Sequence, residues 1–324
     1  MDGEVPEVER IARRIRRIFA GVASSAYFGG AERAEFAHFE GILLEALAKI
    51  AAKARSGRLR LLDLSYFPQC LRYPGYQARV AVFIGSFDPF QMTHLALALR
   101  FLAEEDSEAD LVLVVPEGAD NPLKPRKTDY RFRYDIARRQ LDGIFNPLVA
   151  PLDLGEGADT IEIVRRLIAL HPGAALRLTH LLGSDALPTA VRLLPEDLAA
   201  WREAAARHRV ALDFGIHVQR REGAPVPDAL LAEARRLGVR AETSDESLVT
   251  PSSSDFRSRG ALTVAFPAPA LLARLELLFR YGMQRPWMEA AAGAALDPAE
   301  PSQAPGGPGR TPDEPPRITA DYEI

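Results

Sequence analysis

The chain has 324 residues, 47% of them apolar and 26% charged, which is the profile of a globular protein long enough for one large domain or two smaller ones. A formal net charge of −4 gives no global attraction for nucleic acid, and no apolar run reaches the ~18 residues that a membrane-spanning helix needs. A single cysteine, Cys70, excludes an intrachain disulfide framework and a cysteine cluster for zinc. The N-terminal MDGEVPEVERIARR is charged where a signal peptide would be apolar, so the expected compartment is the cytoplasm.

Residues 1 to about 77 carry helical patterning without strand-like runs. Ile11, Ile15, Ile18 and Phe19 recur at helical spacing among arginines, and the stretch from Phe36 to Ile50 repeats the pattern. The first of these is a basic amphipathic helix. It reads either as a surface helix with solvated arginines or as a contact for an acidic partner or membrane surface.

From 78 to 284 the rhythm changes to short β-branched runs alternating with helical segments. The runs are ARVAVFIG, ADLVLVVP, PLVAPLDL, ALRLTHLLG and VALDFGIHVQR. Between them lie HLALALRFLAEE, DYRFRYDIARRQL, TIEIVRRLIAL and the alanine-rich stretch around Trp201. Near-continuous apolar strands separated by helices predict an α/β domain, a Rossmann-like, doubly wound and mostly parallel sheet. Ligands of such a sheet sit at the carboxyl ends of its strands. Residues 285–324, rich in proline, glycine and acidic groups, are expected to form a disordered tail.

The first strand runs into Ile84-Gly85-Ser86-Phe87-Asp88-Pro89-Phe90-Gln91-Met92-Thr93-His94. Gly85 and Ser86 are small enough to let the backbone approach a phosphate, and Phe87 and Pro89 stiffen the loop. His94 falls in the first turn of the next helix, where free amides and the helix dipole already favour an anion. An imidazole there can donate to a phosphate oxygen as charge develops during displacement.

Two more elements sit at strand ends or helix starts. Leu182-Gly183-Ser184-Asp185-Ala186-Leu187 closes the fourth strand. Thr250-Pro251-Ser252-Ser253-Ser254-Asp255-Phe256-Arg257 offers serine hydroxyls for a helix start and an arginine one turn on, either as an ordinary cap or as a phosphate site. A basic loop, Asn121 to Lys127, follows the second strand, with Lys124 central and Arg131 and Arg133 beyond it.

Taken together, these strings resemble the nicotinate and nicotinamide mononucleotide adenylyltransferases, within the nucleotidyltransferases that carry an HxGH-type element. Gly85, Ser86, Phe87, Asp88, Pro89 and His94 match the first motif, Gly183 and Asp185 a G-x-D-x-L turn, and Ser252, Ser253, Ser254, Phe256 and Arg257 a late serine–arginine motif. The resemblance spans roughly residues 79 to 283. Gln91, Thr93 and Leu123 depart from it, Gln91 keeping a side chain able to bond a phosphate.

The resemblance implies an ATP site of Gly85, Ser86, Phe87, Asp88, Gln91, His94, Gly183, Asp185, Ser252, Ser253, Ser254 and Arg257, with His94, Arg257 and Lys124 in the chemistry. It puts Thr160 and Trp201 beside the mononucleotide, Trp201 reading equally as a core aromatic. Thr160 sits in Ala158-Asp159-Thr160, which lacks the tyrosine of the nicotinate enzymes. The expected partners are ATP and a phosphorylated small-molecule acceptor, with no nucleic acid and no membrane; a homo-oligomer is compatible with the sequence. Mg²⁺ is expected on the substrate phosphates, with no protein cage. Two other readings stay open: a sister enzyme (pantetheine-phosphate adenylyltransferase or a cytidylyltransferase), and a nucleotide-binding regulator without catalysis.

Overall fold

The computed structural model describes residues 4–25, 28–61, 77–118, 128–220, 225–244 and 266–267. Two helices come first, α1 (Glu4–Ser24) and α2 (Gly30–Arg55). Then follow β1 (Gln77–Gly85), α3 (Met92–Ala103), β2 (Leu111–Pro116), α4 (Tyr130–Leu141), β3 (Val149–Pro151), α5 (Thr160–Ala169), β4 (Ala175–Gly183), α6 (Leu187–His208), β5 (Ala211–Gln219), α7 (Asp228–Arg236) and β6 (Arg240–Thr243).

The strands form one six-stranded sheet in the order β3-β2-β1-β4-β5-β6, and every neighbouring pair is parallel. This is the Rossmann-like order expected from the alternation of apolar runs and helices. Both faces of the sheet are covered. Val80 and Val82 of β1 point into a core shared with α5, α6 and α7, while Ala81 and Phe83 point into another shared with α1 through α4. That double burial explains why the strands read as continuous hydrophobic runs. No helix among the described residues is long and apolar enough to cross a membrane.

The N-terminal helices belong to the second of these cores. Ile11, Ile15 and Phe19 of α1 and Phe36, Leu43, Leu47 and Ile50 of α2 are buried with Leu95, Leu99 and Leu102 of α3. Phe266 joins them, its ring 5.7 Å from Phe19 and 4.9 Å from Phe145, and its N–H donates to Oε1 of Gln140 at 2.9 Å.

Lys53 of α2 makes the most demanding of these contacts. It is 1% exposed, and its ammonium donates to the carbonyls of Leu102, Glu104 and Ser107 at 2.8, 2.7 and 2.7 Å. The first two belong to the end of α3 and the third to the turn after it, so the lysine caps that helix and ties down the turn with three charge-assisted bonds. Burial pushes Lys53 down to about 8, which keeps it charged at neutral pH.

Local signals set several boundaries. Asp129 and Asp159 cap α4 and α5 by accepting the N–H groups of Phe132 and Glu162, each at 2.8 Å. At the foot of the sheet Asp110, fully buried, takes bonds from Arg60 and Arg79. The expected tail, residues 285–324, lies outside the described residues.

Candidate active site

The strand order reverses between β1 and β4, and in a sheet of this kind the carboxyl ends of those two strands are where a ligand crevice is expected. Gly85 ends β1 and Gly183 ends β4. Their register runs to Phe83 opposite Leu181, so two residues further on the glycines stand level. Both lie on the α3 side of the sheet and neither carries a side chain to fill such a crevice. A Cβ on Gly85 would come within 3.1 Å of the Phe87 ring.

The loop from Ser86 to Gln91 is held by packing. Phe87 has φ 42°, a left-handed conformation that costs a phenylalanine about 1–2 kcal/mol. Its ring is buried against Phe83 at 5.3 Å, Phe90 at 5.4 Å and His94 at 5.1 Å, contacts that offset the strain. His94 is in turn bounded by Phe83 at 5.7 Å and Phe90 at 5.5 Å.

Helix α3 starts at Gln91, which places His94 in its first turn, as the sequence predicts. The backbone N–H of Gln91 donates to Nδ1 of His94 at 2.9 Å. With Nδ1 the acceptor, the neutral imidazole carries its proton on Nε2. The half-buried ring therefore has a defined tautomer beside the dipole-positive end of a helix.

Arg133 is a feature that sequence reasoning noted only as a basic residue. It is 1% exposed, and it donates to three backbone carbonyls: Ser86 at 2.5 Å, Glu117 at 2.8 Å and Thr128 at 3.0 Å. One guanidinium thus ties the end of β1, the end of β2 and the start of α4, and places a positive charge behind the phosphate-type loop. Asp88 acts alongside it. Its carboxylate is 4% exposed and accepts the hydroxyl of Thr128 at 2.5 Å and its N–H at 3.2 Å. Nothing in the local sequence marks Thr128 or the burial of Arg133, because both contacts cross about 40 residues or more of chain.

The other predicted residues fall as follows. Gln91 is 2% exposed, with Oε1 accepting from the Thr93 hydroxyl at 3.2 Å, so it serves the helix start. Asp185 is exposed in the turn after β4, where Ala186 N–H closes on Gly183 O at 2.9 Å; Ser184 beneath it is buried. Thr160 begins α5 on the same edge of the sheet. The loop before it is strapped to the end of β2. Gly118 N–H donates to Ala158 O at 2.9 Å, and a Cβ on Gly118 would come within 2.6 Å of Gly157 N. Only glycine fits that crossing.

Trp201 packs in the core of the domain. Expected beside the mononucleotide, it is 1% exposed in the core, 4.6 Å from Phe214, and its indole N–H donates to Ile161 O at 3.2 Å. A ring covered on this scale presents no face for a ligand to stack on. One turn earlier on α6, Asp197 is 6% exposed and its Oδ1 has no hydrogen-bond partner among the described residues. Burial, with Asp159 and Glu196 adding repulsion, pushes it up to about 6. Lys124, Ser252, Ser253, Ser254 and Arg257 lie outside the described residues.

Among the described residues no group of three or more His, Cys, Asp or Glu side chains could hold a metal ion.

Comparison with known proteins shows the family. A probable nicotinate-nucleotide adenylyltransferase of Bordetella petrii is 32% identical over 219 residues, 64% of this chain and 99% of that protein. Another, from Nitratiruptor, is 32% identical over 120 residues, 34% of this chain and 62% of that protein. The solved Plasmodium falciparum nicotinic acid mononucleotide adenylyltransferase complexed with NaAD superposes with a TM-score of 0.44 at 15% identity, covering 64% of this chain and 99% of that one. No family model matches the chain. By the near-complete match to the first relative, the chain belongs to the nicotinate-nucleotide adenylyltransferase family and is a nucleotidyltransferase.

Proposed function

We propose that the enzyme transfers the adenylyl group of ATP to nicotinate mononucleotide, with nicotinamide mononucleotide as the alternative acceptor, in the cytoplasm. The dinucleotide forms and pyrophosphate leaves, a step of NAD biosynthesis. The observation that carries this reading is the fixed tautomer of His94 at the first turn of α3, beside the glycine ends of β1 and β4.

A phosphate oxygen of the mononucleotide attacks the α-phosphorus of ATP. As that bond forms, the bond from the α-phosphorus to the bridging oxygen breaks, and the electron pair leaves with pyrophosphate. The nucleophile is already an anion, so no general base is required. Catalysis is alignment of two anions and relief of their repulsion. In this reading His94 donates through Nε2–H to the α-phosphate, where charge builds in the transition state.

The amides of the first turn of α3 and the backbone at Gly85 and Ser86 receive the phosphates. Arg133 and Asp88 hold that loop in shape from behind. Gly183 and Asp185 take the ribose, and Thr160 stands on the acceptor side. Lys124, Ser252, Ser253, Ser254 and Arg257 are assigned to the leaving pyrophosphate from their motifs alone. Mg²⁺, arriving on the triphosphate, would neutralise part of its charge.

The test is pyrophosphate release from ATP and Mg²⁺ with nicotinate mononucleotide, nicotinamide mononucleotide and phosphopantetheine offered separately. Release with a pyridine mononucleotide supports the assignment and names the acceptor. Release with phosphopantetheine alone transfers the chain to the sister activity. Silence with all three, alongside measurable ATP binding, points to another acceptor or to a non-catalytic nucleotide binder.

A further inference from the structure

Gln219, the last residue of β5, is 4% exposed, and its Nε2 has no hydrogen-bond partner among the described residues. A sealed polar atom left unsatisfied destabilises the fold, and in a native protein it calls for a reason.

Its position supplies one. Phe214, Ile216 and Val218 enter the core beneath α5, α6 and α7, so by alternation His217 and Gln219 face the α3 side. The His217 ring, 4.8 Å from Phe101 of α3, fixes that face. Gln219 pairs in register with Gly183, which stands level with Gly85.

The ends of β1, β4 and β5 therefore form a row on one face: two glycines, then a carboxamide. Neighbouring strands lie about 4.8 Å apart, so Gln219 is about 10 Å from Gly85 along the row. The phosphate-type loop and His94 are at one end. At the other, about the reach of a ribose away, is an amide nitrogen without a partner among the described residues.

We propose that Gln219 reads the adenine of ATP. Its carboxamide pairs with one edge of the base, donating to a ring nitrogen and accepting from the exocyclic amine, while the sugar crosses Gly183. A primary carboxamide is the side chain that matches an adenine edge with one donor and one acceptor. The inference rests on the reaction assigned above and adds base selection to it.

The experiment compares equilibrium binding of ATP and of purine riboside triphosphate, which lacks the exocyclic amine, to the full chain and to its Gln219→Leu variant. The wild type is expected to prefer ATP by about tenfold or more, and the variant to bind both nucleotides alike. The variant is also expected to unfold at a higher temperature, since leucine leaves no orphaned amide in the nucleotide-free protein. Equal affinities in the wild type, or a preference retained in the variant, would overturn the proposal. If adenylyl transfer proceeds from ATP without that preference, base reading by Gln219 fails while the reaction stands. If neither nucleotide binds and no acceptor releases pyrophosphate, both fall.

Discussion

Gln91 and His94 face each other across one turn of α3, the backbone N–H of the first bonded to Nδ1 of the second at 2.9 Å. The bond settles which nitrogen of the imidazole carries the proton, and it does so with backbone alone, so the departure of Gln91 from the family motif leaves it intact.

This pairing makes His94→Ala a clean probe. The ring contributes where charge develops, so turnover should fall by about 10²–10³ while ATP affinity stays within about threefold. Steady-state rates and direct binding measured on the same variant check it. Equal losses in both quantities would remove His94 from the transition state.

Lys53→Met takes the cap from three carbonyls at the end of α3 and in the turn after it, and should cost about 2–4 kcal/mol of stability. A pH signature accompanies it. The folded value of about 8 lies below the ordinary 10.5, so the unfolded chain holds this proton more tightly. Wild-type stability therefore gains between about pH 8 and 10.5, as the folded protein sheds the proton first. Denaturant titrations across that range should show the gain in the wild type and its absence in the variant.

Asp197 behaves in the opposite sense. Its folded value of about 6 lies above the ordinary 3.8, so the folded state loses ground as pH rises from 3.8 to 6, and the cost persists above that. Asp197→Asn is expected to be the more stable protein at pH 7, with the difference shrinking toward pH 4. A variant equally stable at both pH values would show that the carboxylate is compensated.

Trp201→Phe separates a core role for that residue from a role beside the mononucleotide. Loss of the bond to Ile161 O and of part of the ring should lower stability by about 1–2 kcal/mol, with the mononucleotide KM unchanged within about twofold. A tenfold rise in KM at intact stability would return the indole to the substrate.

What could be read in the sequence follows the range of the forces involved. The strands announced themselves because burial on both faces removes polar residues from them, and His94 because a loop and a helix start are contiguous. Strand β6 and helix α7 were not singled out: β6 has four residues and α7 nine, too short to build a period. In the sequence alone nothing separates Arg133 and Lys53 from surface charges, since their carbonyl partners belong to other elements. Gly118 reads as an ordinary loop glycine, and only the 2.6 Å that a Cβ there would leave to Gly157 N shows why no other residue fits. The resemblance puts Trp201 beside the ligand, whereas the bond that fixes its indole goes to Ile161, which precedes it by 40 residues.

Helix α3 is finished at its two ends by different stretches of the polypeptide, Gln91 at one and Lys53 at the other. A shortened protein starting at Gln77 would retain every strand of the sheet yet bare the flank of α3 where Leu95, Leu99 and Leu102 meet α2, a surface prone to self-association. The helical preface has thus become an obligate part of the folding unit, and engineered hybrids with shorter relatives should exchange α2 and α3 together.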